Sequence, residues 1–118
     1  MEIEIELNVT LTPSLAEKVQ GRLNEKFELI AFKEADKFSL RPTGGGDSDC
    51  TIDQAIQTYL GSIESIAPLL VQASGVVRVG AFFSEGEAAA FSVLLSNTTV
   101  QMLARHQFTI DVTCYPCS

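Results

Sequence analysis

The chain has 118 residues, of which 46% are hydrophobic and 19% charged. That much apolar surface can offset the entropy of ordering a core, which excludes a disordered chain and points to one domain spanning residues 1–118. Eight Lys and Arg against fifteen Asp and Glu give a formal charge of -7, the wrong sign for displacing counterions from nucleic acid or docking on an anionic membrane.

Ile3, Ile5, Leu7, Val9 and Leu11 alternate with Glu2, Glu4, Glu6, Asn8 and Thr10. Strict period-2 patterning of this length predicts a strand with one buried and one wet face. Thr12-Pro13 opens a helix, with Ser14 and Glu17 spaced as a capping box and Leu15, Val19, Leu23 and Phe27 as its apolar stripe. Residues 29–33 and 38–41 read as a hairpin, and residues 42–49, Pro-Thr-Gly-Gly-Gly-Asp-Ser-Asp, as a loop.

Thr51 followed by Gln54 caps a long helix whose core line is Ile52, Ile56, Tyr59, Leu60, Ile63 and Ile66. Pro68 predicts a kink or break near Ala67, then a short helical piece ended by Gly75. Residues 76–84, with Arg78 their one charge, suit a central strand, and residues 89–95 are expected to return as its hairpin partner. Ser96 or Asn97 caps a third helix with Val100, Leu103 and Ala104 on its inner face. Residues 108–115 close the chain as a strand with Phe108, Ile110, Val112 and Cys114 inward. The expected architecture is α+β, in the order β-α-β-β-α-β-β-α-β, a single mixed sheet with three helices packed mainly on one face.

Groups that would carry catalysis are scarce. His106, the single histidine, falls in the last turn of the third helix, where a solvated charge is the ordinary reading. No phosphate-binding or nucleophile-elbow motif occurs, so no catalytic residue is assigned. Cys114-Tyr-Pro-Cys117 is a C-x-x-C that follows a strand, without the helix N-terminus that activates a redox thiol. With Cys50 and His106 it makes up a Cys3His inventory, but one clustered pair is weaker than the two that structural zinc sites draw on. A buried Cys114 and a frayed Cys117, with no metal and no cofactor, is the expectation. The acidic start is unlike a secretory leader and an odd number of cysteines suits a reducing compartment, so the expected location is the cytoplasm.

Charge is more informative. Residues 1–42 hold eight acids and six bases, net -2, whereas residues 43–118 hold seven acids and two bases, net -5. On the first strand Glu2, Glu4 and Glu6 form a carboxylate row at about 6.8 Å spacing, too wide for one metal shell but suited to several cationic groups. Their counterparts on the last strand are Thr109, Asp111, Thr113 and Tyr115. If the helices cover the inward face, this open face offers carboxylates and an aromatic on rigid strands. The competing surface is the loop and helix start carrying Asp47, Asp49 and Asp53.

Residues 51–115 resemble small bacterial domain-of-unknown-function proteins of the toxin-immunity type, through the proline-interrupted helix, the strands at 76–83 and 91–95, Ser96-Asn-Thr-Thr-Val, and the closing Phe108-Thr-Ile-Asp-Val-Thr-Cys-Tyr115. The resemblance carries no catalytic residues. Together with small size, absent catalytic groups and a charge of -7, it points to a cytoplasmic inhibitor that occludes a basic toxin domain such as a nuclease. The alternative is a small-molecule- or metal-binding domain using residues 44–49 and the Cys114/Cys117 end.

Overall fold

The N-terminal alternation forms strand β1 (Glu2–Thr10), with Ile3, Leu7 and Val9 buried on one side. Thr12 then caps helix α1 (Pro13–Arg22), its side chain accepting from Leu15 N, so the cap lies two residues before the expected Ser14. Pro13 fills the first helical position, where its missing N–H costs nothing. Strands β2 (Phe27–Ala31) and β3 (Lys37–Pro42) form the expected antiparallel hairpin. The structure, a computed structural model, describes residues 1–34, 36–44, 50–71, 73–84, 86 and 92–117.

Helix α2 (Ile52–Ser62) begins at a complete capping box, with Thr51 accepting from Gln54 N and Gln54 accepting from Thr51 N. It ends before Pro68, and Ala67 and Pro68 instead open a separate helix, α3 (Ala67–Leu70). Proline is tolerated in a first turn and not in a helix interior, so of the expected kink or break it is the break that forms, the short piece is a helix of its own, and the described residues hold four helices instead of three. Strand β4 (Val76–Ser84), helix α4 (Asn97–Arg105) and strand β5 (Thr109–Cys117) complete the chain.

The strands make one mixed sheet in the order β2-β3-β1-β4-β5, antiparallel throughout except for the parallel pair β4/β5. A parallel pair needs a crossover, and α4 lies in it. Here the expected hairpin at residues 89–95 is overturned. Residues 92–95 form no strand, residues 89–91 lie outside the described ones, and β4 already has β1 on one side and β5 on the other.

All four helices contribute to a core against the inward face of the sheet, through Val19, Ile56, Leu60, Leu70 and Leu103 packed with Ile3, Leu7, Val77 and Val79. Tyr59 reaches across this layer, its hydroxyl donating to the Leu40 carbonyl at 2.7 Å, and burial pushes its phenol pKa far up. Helix α4 faces the core differently from expectation: Val100 is 50% exposed and Ala104 is exposed, while Thr99 is fully buried. A hydroxyl is tolerated there because it is satisfied. Thr99 Oγ1 donates to Asp53 Oδ1 at 2.6 Å and accepts from Gln57 Nε2 at 2.9 Å.

Asp53 also accepts the Ser96 backbone N–H at 2.9 Å, while the Ser96 hydroxyl accepts from Thr99 N. A capping box normally uses the helix's own third residue for that return bond. Here the carboxylate comes from α2, so one interaction caps α4 and ties it to α2. Asp53 is therefore committed within the fold and is not a free acid at the helix start.

The hydrogen bonds from Thr99 and then Ser96 hold the Asp53 carboxyl below its usual pKa. Its contribution is thus complete above the unfolded-state pKa of about 3.9 and is lost as pH falls through the lower folded value. Asp53→Ala is expected to cost about 1–2 kcal/mol at neutral pH, the range for losing a cap and its hydrogen bonds. Urea unfolding at stepped pH should show the two proteins converging below about pH 4. A gap that stays constant into strong acid would assign the cost to packing instead of the carboxylate.

Candidate functional site

Strand register places the wet face of the sheet residue by residue. Glu2, Glu4, Glu6 and Asn8 of β1 stand opposite Phe82, Gly80, Arg78 and Val76 of β4. Those β4 residues stand in turn beside Tyr115, Thr113, Asp111 and Thr109 of β5. None of these side chains belongs to the core cluster, so among the described residues this face carries no helix.

One row crosses all five strands. Glu28 pairs in register with Arg41, Arg41 Nε contacts Glu6 Oε2 at 2.8 Å, Glu6 stands opposite Arg78, and Arg78 Nη2 reaches Asp111 Oδ2 at 3.3 Å. The charges alternate along the row, which is the favourable cross-strand arrangement. Fully buried Ser39 donates to Glu6 from below and accepts from Arg41 Nε at 3.0 Å. Glu6 and Asp111, expected as partner-binding carboxylates, are therefore engaged within the molecule.

Beyond this row the face changes character. Phe82 and Tyr115 stack with centroids 4.8 Å apart and planes 15° apart. Gly80 makes room for them, since a Cβ there would meet Phe82 Cε2 at 3.2 Å and Tyr115 Cε2 at 3.5 Å. Glu2 and Glu4, both exposed, take part in no ion pair among the described residues. Glu4, Glu6, Arg41, Arg78, Phe82 and Tyr115 surround a shallow depression of about 450 Å³.

Of the sequence-predicted residues, the structure brings Glu2, Glu4 and Tyr115 to one end of one face, with Glu6 and Asp111 in the adjoining ladder. Asp47 and Asp49 lie outside the described residues. Phe82 and Gly80 were hidden in an apolar run. Arg78 marks the wet face of that run, and counting in twos from it reaches both.

The cysteines do not behave as expected either. Cys114 is exposed, because β5 extends past the helix layer, and Cys117 lies on the opposite face of the same strand. Three residues of strand separate their Cα atoms by about 10 Å, beyond disulfide reach. Cys50 packs against the core ahead of α2, and His106 caps α4 beside the Phe108 ring. Among the described residues no three His, Cys, Asp or Glu side chains group as metal ligands. Of the small-molecule alternative, residues 45–49 lie outside the described residues, and Gly44 follows β3, which has β1 and β4 between it and β5. Among the same residues no helix is long and apolar enough to cross a membrane.

The chain matches no protein-family model, no curated protein and no solved structure.

The core is continuous through Ile3, Leu7, Ile56, Leu60, Val77 and Leu103 with no need of a metal to close it. Thermal melts with and without EDTA should therefore coincide. A midpoint that falls by several degrees on chelation would establish a stabilising metal.

Proposed function

We propose that this chain is a binding protein and not an enzyme: an acidic inhibitor that docks the open face of its sheet on a basic protein, in the manner of an immunity protein occluding a toxin domain in the cytoplasm. The observation that carries this reading is the end of the face where Glu2 and Glu4, in no ion pair among the described residues, stand beside the Phe82/Tyr115 stack. A binding surface needs area, rigidity and a charge that its own fold does not consume.

The sheet supplies the first two. Its strands are hydrogen-bonded to neighbours, so little backbone freedom is lost on docking, and Tyr115, 45% exposed, is a residue type favoured at interface centres. The third comes from Glu2 and Glu4, backed by a chain of formal charge -7 that would draw in a cationic partner at long range. Nucleic acid and anionic membranes are opposed by the same charge.

A partner captured from the lysate of the source cells, identified and purified, provides the test. Its association rate should fall steeply with added salt while the dissociation rate changes less. Glu4→Lys should weaken the complex at least tenfold, about 1.4 kcal/mol, without altering the melt. Glu4 suits this better than Asp111, whose reversal would also strand Arg78. If Asp47→Lys with Asp49→Lys weakens binding and Glu4→Lys does not, the loop is the interface and the sheet-face reading is wrong.

A further inference from the structure

We infer that the slot between the Phe82 ring and the carboxylates of Glu2 and Glu4 receives an arginine side chain of the partner. This rests on the reading of the open face as a docking surface and names what anchors there.

The centroid spacing of the Phe82/Tyr115 stack, 4.8 Å, is that of neighbouring strands, and the planes are within 15° of parallel. The stack therefore runs across the sheet, with Tyr115 covering one face of Phe82 and the other face turned toward β1. Directly opposite on β1 stand Glu2, in register with Phe82, and Glu4, in register with Gly80, over which the Phe82 ring leans. β3 pairs with β1 only over Leu7–Thr10, so among the described residues no strand walls off the far side of Glu2 and Glu4. The slot has an aromatic wall, an acidic wall and a floor at Gly80.

Charge decides the sign of its occupant. In the adjoining row the cations are taken up: Arg41 by Glu6, and Arg78 by Asp111. Among the described residues, Glu2 and Glu4 are carboxylates at this end that take part in no ion pair, so a cation gains there and an anion does not.

Shape then separates arginine from lysine. A guanidinium is planar, lies flat on an aromatic ring, and presents donors along its edges to more than one carboxylate. An ammonium meets the acidic wall equally well but gains less from the ring and holds its water more strongly. Because Glu2 and Glu4 are two residues apart on one strand, their side chains flank a single group lying against Phe82.

The experiment uses the full chain, isotopically labelled, titrated with three capped tripeptides that differ only in a central arginine, lysine or citrulline. Amide shifts are expected at Glu4, Gly80, Phe82 and Thr113, with affinity falling from arginine to lysine and lost for citrulline, the neutral isostere of arginine. Glu4→Gln should weaken the arginine peptide at least about fivefold, the loss of one charge-assisted pair. Phe82→Leu should bring arginine down to the level of lysine, and Tyr115→Ala, at an exposed position, checks the stack without risk to the core.

Equal binding of citrulline, equal binding of arginine and lysine, or shifts confined to residues outside the slot would each overturn the inference. Should the peptide fail while Glu4→Lys still releases the partner protein, the anchor is wrong and the docking face stands. Should the peptide bind in the slot while the partner ignores Glu4→Lys, the arginine site stands and the docking reading falls.

Discussion

Strand β1 is hydrogen-bonded on both sides, to β3 over Leu7–Thr10 and to β4 over Glu2–Asn8, while its two faces differ completely in polarity. Sliding it by one residue would carry Glu2, Glu4 and Glu6 into the helix layer and Ile3, Ile5 and Leu7 into water. Burying carboxylates without partners costs far more than the rest of the fold can offset. The register of β1 is therefore pinned, and its neighbours inherit the partition. Val77, Val79 and Ala81 face the helices because Leu7, Ile5 and Ile3 do; Arg78, Gly80 and Phe82 face away because Glu6, Glu4 and Glu2 do. With the helices gathered on the apolar side, the polar side is left as a broad open surface.

The charge ladder across that surface adds little to stability. Exposed ion pairs contribute about 0–1 kcal/mol each, and Arg78–Asp111, at 3.3 Å with both side chains about half exposed, belongs at the low end. Glu6 is better held, by Arg41 and by Ser39 beneath it. The consequence lies in recognition. A partner covering the ladder must strip water from charges already satisfied, and gains no new pair in return. One covering Glu2, Glu4 and the aromatic stack gains a counter-charge and buries apolar area together. The neutralised row thus makes the middle of the sheet unrewarding and biases docking to one end.

How much of this was legible in the sequence depends on the range of the interactions involved. The alternation of β1 and the Thr51/Gln54 box are set by residues within a few positions of one another, and both appear where expected. So does the core line through Ile56, Leu60, Ile63 and Ile66. The local errors are small: Thr12 and not Ser14 caps α1, and Phe27 starts β2 instead of extending the α1 stripe. The larger errors are long-range. Thr99 faces inward because Asp53 and Gln57, more than forty residues earlier, satisfy its hydroxyl. Residues 92–95 have strand-like composition, but the edge of β4 they would need is taken by β5. Of the candidate site, the face and Glu2, Glu4 and Tyr115 could be read from period-2 alternation alone. That Glu6 and Asp111 are consumed by Arg41 and Arg78 depends on strand order, which local pattern does not encode.

The aromatic stack takes its geometry from β5. This strand is at the edge of the sheet, paired with β4 alone, and α4 is the helix that packs against it. Helix α4 in turn is held by the Asp53 network on α2. Tyr115 stands on the wet face of β5, beyond the part that α4 covers, and its alignment with Phe82 is set by the pairing of β5 with β4. An aromatic stack on a loose edge strand would have to be ordered by its ligand, at the expense of affinity. One held by a nine-pair ladder with β4 is ordered beforehand. The Asp53 network secures α4 behind the start of β5, and the parallel β4/β5 ladder holds Tyr115 beside Phe82.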